Sequence, residues 1–153
     1  MLEAFDFTQS LSHFDPSSST AVDEPPTVSD VIEVTPENLK LLCEIGILAM
    51  VHQCGQSARP IFELLDEQQP DNAAGVIGLA LLDVEDGRER HGMDRLRTAI
   101  KTRKRCVREA KAVLFIVLTN FGRGAEARLL KKELMRGPDC AAKRLVASYS
   151  LAG

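Results

Sequence analysis

The stretch from Gly46 to Pro70, GILAMVHQCGQSARPIFELLDEQQP, carries the spacing that decides the fold. It contains small residues, two large apolar residues and a terminating proline at helical intervals, namely Gly46, Ala58, Phe62, Leu65 and Pro70. Where two helices cross closely, the side chain at the contact must be small, and a larger apolar residue one turn later fills the space beside it. The stretch therefore predicts two helices packed against each other as a hairpin.

The same pattern returns twice along the chain. A shift of 34 residues leads to the second copy, and a further shift of 33 leads to the third. The second copy is Ala80, Gly92, Leu96 and Ala99, and the third is Val113, Ala125 and Leu129, followed by Gly137 and Pro138. A two-helix repeat of about this length is the tetratricopeptide pattern. We therefore predict an all-α, tetratricopeptide-like array of about three helical hairpins, with a capping helix near residues 138–150.

Composition is compatible with a single helical core. The 153 residues are 44% hydrophobic and 27% charged, and only 5% are aromatic, so the core depends on aliphatic side chains. The longest purely apolar run, Ala112 to Leu118, is far shorter than the roughly 20 residues that a membrane helix needs, and we predict no membrane insertion. Residues 1–10 lack the basic start of a secretory signal, and we therefore expect a cytoplasmic protein.

Charge divides the chain into two parts. Residues 1–39 hold eight acidic and no basic residues, whereas the remainder holds 19 basic and 14 acidic ones. Residues 15–27 are rich in proline, serine and acid, and such a segment buries too little apolar area to order itself. We predict an acidic, partly disordered leader at 1–34 and the helical domain at 35–153. Residues 2–14 form either a short amphipathic helix, folding back on the domain or gripping a partner, or a frayed tail.

The first helix of each hairpin lines the concave face of such an array, where ligands bind. On that face we predict a partner-binding groove made of Cys43, Ile47, Met50, Val51, Ala74, Ile77, Leu81, Val84, Val107, Ala110, Leu114, Val117 and Leu118. Only Lys40 and Glu85 bring charge to it, so the face is unsuited to a peptide carboxylate and suited to an amphipathic helix. A partner helix, a second copy or the leader should cover it, because an open apolar groove invites aggregation. In a slipped register the same residues would be core.

A basic stretch from Arg95 to Lys111 raises the alternative of nucleic-acid binding. Its eight basic residues are opposed only by Glu109, but no aromatic residue is interleaved for base stacking, and the stretch straddles a predicted turn. We therefore predict no nucleic-acid partner. The stretch is interpreted as a solvated turn, or as a dock for the acidic leader or an acidic partner.

Residues suited to catalysis or metal binding are scattered. The four cysteines, at positions 43, 54, 106 and 140, show no C-x-x-C spacing, and His13, His52 and His91 are far apart. The acidic run from Asp83 to Gly87 lacks the ligand spacing of a calcium loop. We predict no enzymatic activity, no catalytic residues, no metal and no cofactor.

Three stretches carry a resemblance to a known family. They are LLCEIG at 41–46, GLALLDVEDGRERHGMDRL at 78–96 and FGRGAEARLLKKELMRGPDCAAKRL at 121–145. The segment from Leu41 to Leu151 resembles the small tetratricopeptide chaperones of bacterial type III secretion, in particular the YscG-like needle-subunit chaperones. The resemblance implies a bacterial cytosolic chaperone that holds the subunit's amphipathic helix in its groove and prevents premature polymerisation. It also implies a second small helical protein, a co-chaperone, at the N-terminal region.

Two departures from that family keep alternatives open. The acidic leader is longer than the family leads us to expect, and Phe115 and Phe121 are the only aromatic residues of the third repeat. Both departures also fit the translocator chaperones of type III secretion and the Hrp-type proteins of plant-associated bacteria. A self-associating tetratricopeptide scaffold, present as a homodimer, and a nucleic-acid-binding regulator are the further hypotheses.

Overall fold

The computed structural model of the protein describes residues 35–149, which form seven α-helices and no strand. The helices are α1 Pro36–Val51, α2 Gly55–Gln68, α3 Ala74–Glu85, α4 Glu89–Thr102, α5 Val107–Asn120, α6 Gly124–Arg136 and α7 Ala141–Ser148. The predicted all-α class is therefore confirmed. The predictions for the leader at 1–34, including the helix at 2–14, lie outside the described residues, as do residues 150–153.

Each helix packs against its neighbour in the chain. In addition, α1 packs on α3, α3 on α5 and α5 on α7, whereas α2 does not touch α4 and α4 does not touch α6 within the described range. The odd-numbered helices therefore lie side by side as one layer. Their mutual packing places successive first helices next to each other along one face of the molecule.

Local signals explain where several helices begin and end. Thr35 caps α1, since its Oγ1 accepts a hydrogen bond of 3.2 Å from the backbone N–H of Asn38. Asn72 Oδ1 accepts from the N–H of Ala74 at 3.1 Å at the start of α3. The turns after α3 and α5 contain Gly87 and Gly122 at φ 77° and 73°, a left-handed conformation that glycine adopts without steric cost.

The predicted small-to-large packing is present in the first two copies. The ring of Phe62 on α2 is 1% exposed and lies against Gly46 of α1 and Gly78 of α3. A Cβ on Gly46 would lie 2.8 Å from Phe62 Cζ, and a Cβ on Gly78 would lie 2.2 Å from Phe62 Cδ1. In the second copy, a Cβ on Gly92 would lie 2.6 Å from the carbonyl oxygen of Ala80. Close helix approach therefore requires glycine at these crossings.

The third copy was placed in the wrong register. Ala125 is exposed and Leu129 is 70% exposed, whereas Ala127 and Leu134 are the buried residues of α6. The second helices begin at Gly55, Glu89 and Gly124, so their spacing is not constant along the chain. Because each residue turns a helix by about 100°, an offset of two residues carries a predicted contact to the opposite side.

Tight packing around α5 and a buried charge cluster hold the helices together. Val146 of α7 is fully buried, and the ring of Tyr149 meets that of Phe115 edge-on at 5.9 Å. Elsewhere the carboxylate of Asp83, only 1% exposed, joins three elements. It accepts hydrogen bonds from the three arginines Arg88 at 2.8 Å, Arg95 at 3.1 Å and Arg59 at 3.4 Å. These bonds link α2, α3 and the start of α4, and they satisfy a buried charge.

Candidate partner-binding groove

An apolar groove of about 330 Å³ opens on the layer formed by α1, α3 and α5. Its lining residues are Cys43, Ile47, Met50, Phe62, Ala74, Ile77, Gly78, Leu81, Cys106, Glu109 and Val113. All of these except Glu109 are uncharged. The groove thus offers an almost wholly apolar surface to a ligand.

Helical periodicity builds the groove from three matching rows. On α1 the lining positions are 43, 47 and 50, on α3 they are 74, 77 and 81, and on the α5 side they are 106, 109 and 113. Residues at such intervals share one helix face, so each wall contributes about one side chain per turn over roughly two turns. Because Gly78 has no side chain, the ring of Phe62 reaches the floor from α2.

Six of the predicted partner-binding residues line this groove, namely Cys43, Ile47, Met50, Ala74, Ile77 and Leu81. Three others lie outside its lining: Val51 is 72% exposed, while Val84 and Val107 are half-buried. Lys40 is exposed and forms a loose ion pair with Glu44, at 3.9 Å. The α1 and α3 sides of the predicted surface are thus largely brought together.

The α5 side requires a correction. Ala110, Leu114, Val117 and Leu118, predicted to face the partner, are 0%, 2%, 3% and 0% exposed and belong to the core. On the groove face the step from α3 to α5 is 32 residues, as from Leu81 to Val113, and not the 33 that was assumed. The connection before α5 (103–106) is shorter than the one before α3 (69–73), which explains the lost residue.

Sequence reasoning missed Cys106, Glu109 and Val113 as lining residues. The α5 helix carries apolar residues around most of its circumference, so its pattern does not distinguish the core face from the groove face. Glu109 had been counted only as the acid within the basic stretch. No signal in the sequence alone would have favoured the 32-residue step.

The two groove thiols behave as apolar lining. Burial raises the pKa of the Cys43 thiol, and the neighbouring Cys106 and Glu44 raise it further. Burial and the carboxylate of Glu109 raise the pKa of Cys106, against a smaller opposing effect of Arg105. Since thiolates are the reactive form, both cysteines remain protonated at neutral pH and contribute weakly polar surface.

Most of the basic stretch is engaged within the chain. Five of its side chains pair with carboxylates: Arg95 with Asp83, Arg97 with Asp94 and Glu126, Arg103 with Asp66, Lys104 with Asp71, and Lys111 with Glu133. Arg108 donates to the carbonyl oxygens of Leu134 and Pro138 at the end of α6. Among the residues that the structure describes, this leaves Lys101 and Arg105 of the stretch without an ion pair. Little of its charge is free for an external phosphate.

A second apolar surface lies on the outer side of α1. Leu41, Ile45 and Leu48 are 55%, 44% and 56% exposed and recur at helical spacing. None of them lines the groove. The two faces of α1 are therefore distinct, which makes Ile47 in the groove and Leu48 outside it a matched pair of exposed aliphatic residues.

Within residues 35–149, no group of three or more histidine, cysteine, aspartate or glutamate residues is arranged to hold a metal ion. In the same range, no helix combines the length and apolar character needed to cross a membrane. Comparison with known proteins yields no match to a family model, to a curated protein or to a solved structure. The argument for function therefore depends on the groove and its chemistry.

Proposed function

We propose that the groove between α1, α3 and α5 holds the amphipathic helix of a partner protein. The observation that supports this is the lining itself, in which ten side chains without charge form three rows of helical spacing. Helix-in-groove recognition uses apolar anchors about one turn apart on the ligand, and these match the spacing of the rows. An apolar partner helix would remove this surface from water, which is the main favourable term in such binding.

The finer architecture that we propose is a tetratricopeptide-like array of helical hairpins. It is supported by the successive contacts of α1, α3 and α5, with α2, α4 and α6 each packed against their neighbours in the chain. The last helix, α7, packs on α5 and α6 and would serve as the terminal cap. The close crossings at Gly78 and Gly92 also fit this proposal.

The partner class that we propose is a small helical subunit of type III secretion, the needle subunit first and a translocator second. The support is the resemblance of residues 41–151 to the needle-subunit chaperones, together with the apolar groove. In this role the protein would act in the bacterial cytoplasm, covering the apolar side of the subunit's helix so that it cannot polymerise. The leader at 1–34 and any co-chaperone lie outside what the groove argument needs.

Substitutions on neighbouring positions of α1 test this function. In a titration of the purified full chain with a candidate needle subunit, Ile47→Asp should weaken binding by about 30-fold or more, since hot-spot losses are about 2 kcal/mol or more. Leu48→Asp is the matched control, because Leu48 is equally exposed but outside the groove. Equal weakening by both, with helicity unchanged, or no weakening by either would reject the groove as the binding site.

Self-association is the second candidate function, and the outer face of α1 favours it. Leu41, Ile45 and Leu48 form an exposed apolar row that a second copy could cover. A homodimer through this face should dissociate on Ile45→Asp in sedimentation experiments and retain groove binding. A wild-type chain that stays monomeric at high concentration would remove this candidate.

A further inference from the structure

We propose that Glu109 makes the groove selective for partner helices that carry a lysine or arginine facing the α5 wall. This inference rests on the proposed function, because it concerns the ligand of the same groove. It assigns to the site a charge requirement in addition to apolar anchors.

Glu109 is unusual within its surroundings. It is the sole charged residue lining the groove, and it lies between Cys106 and Val113 in the α5 row. It is exposed and has no ion pair with any residue in the described range, while Lys40 of the opposite helix pairs with Glu44. The α1 wall opposite contributes only uncharged side chains. Nothing in the described part of the chain therefore compensates this carboxylate when the groove is covered.

Covering the groove changes the environment of that charge. A wholly apolar helix laid on the three rows would take Glu109 out of water without a partner, and an unpaired charge in an apolar interface is strongly unfavourable. A helix with a lysine or arginine at the matching position would form an ion pair there, and charge-assisted hydrogen bonds are the stronger kind. Glu109 thus penalises apolar helices as well as favouring basic ones, which is how discrimination between partners commonly arises.

The test uses phage-displayed amphipathic helices of about four turns, with fixed leucine anchors and all other positions randomised. They are selected on the full chain in its wild-type, Glu109→Gln and Glu109→Lys forms. The wild type should enrich lysine and arginine at one position beside the anchors, Glu109→Lys should enrich aspartate and glutamate there, and Glu109→Gln should enrich neither. Glu85→Gln is the control, because Glu85 is an exposed carboxylate outside the groove lining and should select as the wild type does.

A synthetic peptide from the wild-type selection provides the quantitative step. Replacing its basic residue by norleucine should weaken binding to the wild type about tenfold or more and leave binding to Glu109→Gln almost unchanged. Identical enrichment on all forms, or equal loss with both proteins, would overturn the charge requirement alone. If the wild type enriches no helices above a Leu81→Asp background, the helix-binding function fails together with this inference.

Discussion

Replacing Gly78 by alanine perturbs the contact that sets the floor of the groove. The added Cβ would lie 2.2 Å from Cδ1 and 2.3 Å from Cγ of Phe62, whereas carbon atoms pack at about 3.5–4.0 Å. The ring must therefore move by more than about 1 Å. It has no free space to enter, because it is 1% exposed and meets Gly46 of α1 at its far end.

Two opposing terms set the magnitude. Overpacking a tight core costs about 1–3 kcal/mol, whereas alanine is favoured over glycine inside a helix by about 1 kcal/mol. Because the overlap involves a confined aromatic ring, the cost should lie at the upper end of that range. We expect the free energy of unfolding to fall by about 2 kcal/mol, with a melting temperature lower by roughly 6–10 °C.

Urea and thermal unfolding followed by circular dichroism measure this change. Gly124→Ala is the control, since a Cβ there meets only Arg128 Nη1 at 3.7 Å, and its stability should stay within about 0.5 kcal/mol of the wild type. Adding Phe62→Leu to Gly78→Ala should cost less than the two single changes together, because the pair is in direct contact. A Gly78→Ala protein as stable as the wild type, or strict additivity in the double variant, would refute the packing argument.

Three further predictions concern the charge cluster, a helix cap and the cysteines. Asp83→Asn should lower the free energy of unfolding by about 2–3 kcal/mol, since its arginine partners lose their buried acceptor, whereas Asp86→Asn, 32% exposed, should cost about 1 kcal/mol or less; equal urea midpoints for both would contradict this. Thr35→Ala should cost about 1 kcal/mol through loss of the α1 cap, and Thr35→Ser should restore it. Hydrogen bonds from the Lys143 backbone and the Arg108 side chain lower the pKa of Cys140, while burial raises that of Cys43, so iodoacetamide should modify Cys140 at lower pH; peptide mass spectrometry reads this out, and matching pH profiles would refute it.

Much of the fold could be predicted because its signals are local. Thr35 and Pro36 mark the start of α1, and Gly87 and Gly122 occupy the turns after α3 and α5. The first two copies of the packing pattern held because the second helices that carry them, α2 and α4, begin 34 residues apart. Such features depend on a few adjacent residues and therefore survive without knowledge of the tertiary structure.

The rest of the site depends on turn lengths and distant pairing. Shortening the connection before α5 by one residue moved Leu114 into the core and brought Val113 to the groove. An apolar helix tolerates either rotation in sequence terms, so only packing decides between them. The Asp83 cluster was equally hidden, because Arg59 approaches from 24 residues away on another helix. Glu109 acquires its meaning only once α1 and α3 stand opposite it.

Photo-crosslinking from inside the groove tests the central claim most directly. A diazirine analogue of methionine replaces Met50, which lines the groove, and in a matched chain replaces Met135, which is 39% exposed on α6 and outside it. Irradiation of cells followed by peptide mapping should give, at Met50 alone, an adduct within an amphipathic helix of another protein, and Ile47→Asp should abolish it. Adducts from Met135 but not from Met50, or an adduct from Met50 that persists with Ile47→Asp, would contradict the account.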